Sequence, residues 1–180
     1  MIKISGWLSY LLMISLFLIL LYWVEGGSWS SRAVAKYNDG YGTFDMKSYD
    51  VNTVEKVLSS MTPEGYRISY RYYVGDYLFT VVWGLLQCMI SGSVYSSLNY
   101  SKNVTFVLFT LAIALPILRG IADIIENTLL VVTLKHFPII NTKIIETAAM
   151  ATKIKLGSIK TWALLILVGV IMRIISIFKV

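Results

Sequence analysis

The chain has 180 residues, of which 57% are hydrophobic and 14% charged, and a mean hydropathy of +0.70. That is the composition of a single membrane domain. Its net charge of +6 comes from basic residues that flank apolar segments, so anionic lipid heads are the expected partners and nucleic acid is not. The lone cysteine, Cys88, excludes an internal disulfide and any cysteine-based zinc or iron–sulfur site within one chain. The lone histidine, His136, excludes bis-histidine haem and the HExxH metal site, and reads instead as an interfacial cap. No cofactor and no metal are expected.

The first apolar segment runs from Trp7 to Val24, with Trp7 and Tyr22-Trp23 as interfacial anchors. It is too long for a signal-peptide core, and no small-x-small cleavage site follows, so it is expected to remain as a transmembrane helix. Residues 25–50 are polar and turn-rich (Gly26-Gly27, Asn38-Asp39-Gly40). Asp50 or Asn52 then caps a short helix whose apolar stripe is Val51, Val54, Leu58 and Met61.

Thr62-Pro63-Glu64 starts a second long helix, and nothing breaks it before about Leu98. Residues 77–98 can span a bilayer, while the turns carrying Tyr66, Arg67, Tyr70, Arg71, Tyr72 and Tyr73 must project beyond it. Gly84, Cys88 and Gly92 recur every fourth residue and predict a small-residue face for close helix packing. Residues 99–102 form a short turn, and the glycosylation acceptors at Asn99 and Asn103 lie too close to the membrane to be used.

The third helix covers residues 103–135, with its span at about 104–126. Pro116 is expected to kink it and free a backbone carbonyl at mid-depth. Phe137-Pro138 ends it, Asn141 or Thr142 caps the fourth helix, and residues 161–178 form the last span with Trp162 as anchor. The fold class is thus an all-α bundle of four transmembrane helices. Helices two to four are each too long for the bilayer, and their surplus falls on the side of the large loop. The bundle should protrude there by roughly 15–20 Å, roofed by residues 25–62.

Within the third helix lies an unusual polar stretch. At about 100° per residue, Arg119, Asp123 and Glu126 share one face, with Asn127 beside them. Each charge costs about 2.5–3.5 kcal/mol near a helix centre, so this face cannot meet lipid. Arg119 and Asp123, four residues apart, can pair. Placing each span's midpoint at mid-membrane brings Asp76, Asp123, Glu126 and Lys160 to one level. Lys160 is then the expected partner of Glu126 or Asp76, in a polar pocket open towards the loop. A structural network and a ligand, ion or proton site are both compatible with this pattern.

Several of these pieces resemble a widespread, largely bacterial family of small four-helix membrane proteins. The resembling pieces are Phe44-Asp45-Met46, Gly65-Tyr66 with Tyr70 and Gly75-Asp76, and Ile121-Ala122-Asp123-Ile124-Ile125-Glu126-Asn127 followed by Phe137-Pro138. The Asp-x-x-Glu-Asn element is the most specific of them. The resemblance implies the four-helix architecture and marks the same acidic cluster, but it implies no activity.

Zinc-protease, nucleophile-elbow and Cys-x-x-Cys signatures are all absent from the sequence. Asp123 and Glu126 lack a nucleophile or metal partner at recognisable spacing, so no enzyme is expected. The expected function is an accessory or structural subunit of a larger membrane assembly. Its partners would be lipids and either other membrane proteins or further copies of the chain. The alternative is a small transporter or a lipid- or cation-binding carrier that uses the acidic cluster. Eleven Lys and Arg on the loop side against few on the other place residues 25–73 on the cytoplasmic or equivalent side.

Overall fold

The computed structural model describes residues 2–96, 98 and 102–178. Among these there are six helices: α1 (Ile2–Glu25), α2 (Ser31–Ala35), α3 (Val51–Ser59), α4 (Pro63–Tyr95), α5 (Lys102–His136) and α6 (Thr142–Phe178). Four of them (α1, α4, α5 and α6) are long and apolar enough to cross a membrane, giving an all-α four-helix membrane bundle. Asn99, Tyr100 and Ser101, read above as a turn with an acceptor site, lie outside the described residues.

Local chemistry sets the helix starts. The Thr62 side chain accepts from Gly65 N at 3.3 Å, and Pro63 fills a first-turn position that needs no N–H. Asp50, of the two candidates, caps α3, accepting from Thr53 N at 2.8 Å. His136 Nδ1 lies 2.8 Å from Val132 O in the last turn of α5, which agrees with the capping role.

Side-chain contacts fix the depth of α1 against α4. The Tyr10 hydroxyl donates to Met89 O at 2.6 Å, and Phe17 stacks on Phe79 and Trp83 at 5.5 and 5.0 Å. Trp23 lies against Gly75, where an added Cβ would come within 2.7 Å of the indole. The membrane-spanning helix α1 therefore ends level with Gly75. The 12 residues of α4 before that point project by roughly 18 Å, as the surplus length predicts.

Residues 25–62 wrap this projection. Their Val34, Phe44, Tyr49, Val54, Val57 and Leu58 form one buried core with Ile68, Tyr72, Tyr73, Leu130, Leu134, Ile145 and Ala148 from the long helices. Asn38 fixes the turn before Phe44 by donating to Gly42 O (2.7 Å) and accepting from Gly42 N (2.9 Å). Gly42 has φ +81°, and a Cβ there would sit 2.9 Å from Ser31 O, so glycine is required.

The Gly84–Cys88–Gly92 face does not make the close helix contact the sequence predicts. A Cβ at Gly84 would meet only Pro116 O, at 4.0 Å, and one at Gly92 would meet nothing within 4 Å. On α4 the fully buried residues here are Gln87 and Ser91, and Ser91 reaches Ala112 O of α5. Close approach falls instead at Gly75 against Trp23 and at Gly169, where a Cβ would lie 2.6 Å from Val94 Cγ1.

Candidate functional site

The seam between the membrane-spanning half and the projecting half is ionic. Arg119 lies on the α5 face that meets α4. Its Nη2 donates to Asp123 Oδ2 at 2.7 Å, and its Nη1 donates to Thr80 O at 3.1 Å. The Thr80 hydroxyl donates to the same Asp123 oxygen at 2.6 Å. One turn nearer the roof of residues 25–62, the cap side of the bundle, Asn127 Nδ2 donates to Asp76 Oδ2 at 2.8 Å. Asp76, Arg119, Asp123, Glu126 and Asn127 are each 3% exposed or less, so the predicted polar face is turned wholly inwards.

The partner of Glu126 is Lys155, not Lys160. Lys155 Nζ lies 2.6 Å from Glu126 Oε2 and 3.0 Å from Asp123 Oδ1, and it also pairs with Asp45. Lys155 is 1% exposed, whereas Lys160 is on the outer surface of α6. The two lysines are five residues apart, which turns Lys160 about 140° away from the seam. Assigning depth from span midpoints misplaced the register of α6 by more than one turn. The inner row of α6 is Ala148, Thr152, Lys155, Ser158 and Trp162, all buried at helical spacing.

Four further residues complete the centre, and the sequence reading missed them in this role: Asp45, Tyr49, Thr80 and Thr152. Asp45 comes from the roof, between two buried aromatic anchors. Phe44 packs on Tyr41 and on Tyr49, with ring centroids 5.3 and 5.2 Å apart. Met46 takes φ 59°, an uncommon conformation for a side-chain-bearing residue, and this turn reverses the chain just after Asp45. The Asp45 side chain is about one-fifth exposed and is therefore the centre's contact with water on the cap side. The Tyr72 hydroxyl donates to its Oδ2 at 3.3 Å.

The Thr152 hydroxyl donates to Glu126 Oε1 at 2.6 Å, and the Tyr49 hydroxyl donates to the same oxygen at 3.4 Å. Burial, and then the neighbouring Glu126 charge, push the Tyr49 phenol well above its ordinary range, so it stays a donor. Two sequence signals pointed to these residues: Asp76 and Thr80 are four apart on α4, and Thr152 and Lys155 share an α6 face. Asp45 had no helical spacing to reveal it.

Oxygens of Asp45, Asp76 and Asp123 all lie within 4.8 Å of one another, a separation at which carboxylates can share a cation. The Lys155 ammonium already reaches two of these three groups. Asn127 Oδ1, fully buried, has no hydrogen-bond donor among the described residues. Counting side chains, Asp45, Asp76, Asp123 and Glu126 face only two bases, Arg119 and Lys155.

A second polar group lies deeper in the membrane-spanning half. Pro116 has no N–H to offer Ala112 O, and the Ser91 hydroxyl donates to that carbonyl at 2.9 Å instead. Trp162 Nε1 donates to Ser91 Oγ at 3.0 Å, which ties α6 to the same point. Gln87, one turn away on α4, is fully buried.

No protein-family model, curated protein or solved structure matches this chain.

Proposed function

We propose that this protein is a small cation-handling membrane carrier whose substrate or coupling ion, the proton first of all, binds at the centre around Lys155. The excess of four carboxylates over two bases carries this reading. Two uncompensated charges at the edge of the hydrocarbon would each cost several kcal/mol. Protons or a bound cation remove that cost, and their arrival and departure change the charge of a site shared by α4, α5, α6 and the roof. Asp45 supports a route from the cap side, since it alone of the four acids reaches water. On the charge distribution of the sequence, that side is the cytoplasm or its equivalent.

The accessory-subunit reading rests on a different observation. Arg119 and Lys155 already bind α4, α5, α6 and the roof together, which a purely structural clamp would also do. Proteoliposomes separate the two readings. With a pH gradient imposed and a pH-sensitive dye inside, the wild type should pass protons or a coupled cation. Glu126→Gln and Asp76→Asn should fold normally and lose that flux. Absence of flux in the wild type, with other polypeptides co-purifying at fixed stoichiometry, would sink the carrier and leave the subunit.

A further inference from the structure

Gln87 is 0% exposed, and neither Oε1 nor Nε2 of its amide has a hydrogen-bond partner among the described protein atoms. Buried amides are almost always paired, with protein or with ordered water. Arg119 Nε, on the α5 side of the same seam, is likewise buried and unpaired. Gly84, one turn away on α4, leaves room beside α5 for a Cβ, whose nearest neighbour would be Pro116 O at 4.0 Å. Polar groups lie along the same α4–α5 interface: Pro116 O faces Gly84, and Ser91 Oγ meets the freed Ala112 O, the kind of partners a buried water needs.

We propose that Gln87 holds water between α4 and α5, and that this water links the Arg119–Asp123 pair to Ser91 and Trp162, forming a proton path from the centre towards the side of the chain termini. Along α4, Thr80 and Gln87 are seven residues apart, about 10 Å of helix. At about 2.8 Å per O–H···O step, about three water molecules, held in place by the Gln87 amide, cover that distance and relay the proton. Beyond Gln87, Ser91 is one turn further. The Tyr95 hydroxyl, donating to Leu165 O at 2.6 Å, follows one turn after that. The buried polar row Asp76, Thr80, Gln87, Ser91 thus follows one inner stripe of α4 through the membrane-spanning half. The water site stands on Gln87 alone, whereas the proton path rests on the carrier reading above.

Two measurements test this. Water-edited solid-state NMR of the wild type in lipid bilayers, with labelled glutamine side chains, reads hydration directly. Transfer from water to the Gln87 amide is expected, and a dry amide overturns the proposal whether or not any variant folds. Infrared titration of the carboxyl bands in proteoliposomes, with the pH stepped on the termini side alone, reads the path. Gln87→Leu should slow proton arrival at the centre by about tenfold or more. Its equilibrium titration, and its response to steps on the cap side, should stay as in the wild type. An unchanged rate in Gln87→Leu overturns the path. A centre that does not titrate at all overturns the path together with the carrier reading, and the NMR result still decides the water site.

Discussion

Outside the membrane, α4, α5 and α6 bury Tyr72, Tyr73, Leu130, Leu134 and Ile145 against the apolar side chains of the roof. Inside it, the same three helices turn Val81, Leu85, Ile117, Leu118, Leu164 and Leu167 outwards and bury Thr80, Gln87, Ser91, Arg119 and Asp123. In the projecting half, apolar burial drives association, because water is the competing environment. In the spanning half, lipid is as apolar as leucine, so association rests on packing, hydrogen bonds and ion pairs. The centre around Lys155 lies where the two regimes meet and joins an element from each.

Substitutions that act on one half and spare the other sharpen this contrast. The largest effect is expected at Lys155. Lys155→Met leaves the buried Asp123 and Glu126, and the partly exposed Asp45, without their shared base and should cost about 3–5 kcal/mol, read as loss of folded protein in detergent melts. Lys160→Met, five residues on but exposed, should stay within about 0.5 kcal/mol. Equal losses at the two positions would show that the ion pairs of Lys155 do not hold the seam.

Arg119→Leu comes next. Asp123 keeps Lys155 and the Thr80 hydroxyl, so the expected cost is smaller, about 1.5–3 kcal/mol, in the same melts. A melting temperature equal to that of the wild type would remove Arg119 from the network.

The glycines test packing without touching charge. Gly75→Ala drives a methyl into the Trp23 ring and should cost about 1–3 kcal/mol. Gly92→Ala meets open space and should be neutral or gain up to about 1 kcal/mol from helix propensity. A reversed order in a thermal-shift comparison would contradict the observed register of α1 on α4.

The smallest effect belongs to the α3 cap. Hydrogen bonds from the Thr53 hydroxyl and amide hold the exposed Asp50 carboxyl below its ordinary range. A depressed folded pKa gives stability that is present above the unfolded value of 3.8 and lost as the pH falls through the folded one. Amide protection factors in α3 should therefore fall only below about pH 4. Asp50→Ala should lower them at neutral pH and abolish the acid step.

Local features were legible because their causes are local. Thr62-Pro63 and Asp50 satisfy nearby amides, Pro116 must free Ala112 O, and four-residue spacing alone puts Arg119 beside Asp123. The over-long helices and their one-sided surplus follow from counting residues against a bilayer. Such properties the amino-acid sequence determined by itself, as it did the inward turn of the charged α5 face, which lipid would penalise. Only the tertiary structure decided that Lys155 rather than Lys160 meets Glu126. An uncertainty of one helical turn in the depth of α6 is enough to exchange the two. It also decided that Asp45 reaches the centre from a roof with no periodicity, and that Gly75 and Gly169, not Gly84 and Gly92, are where helices touch. These depend on how far each helix slides along its neighbours. That distance is set by side chains such as Trp23, Phe17 and Ser91 meeting across the bundle, not by any spacing within one helix.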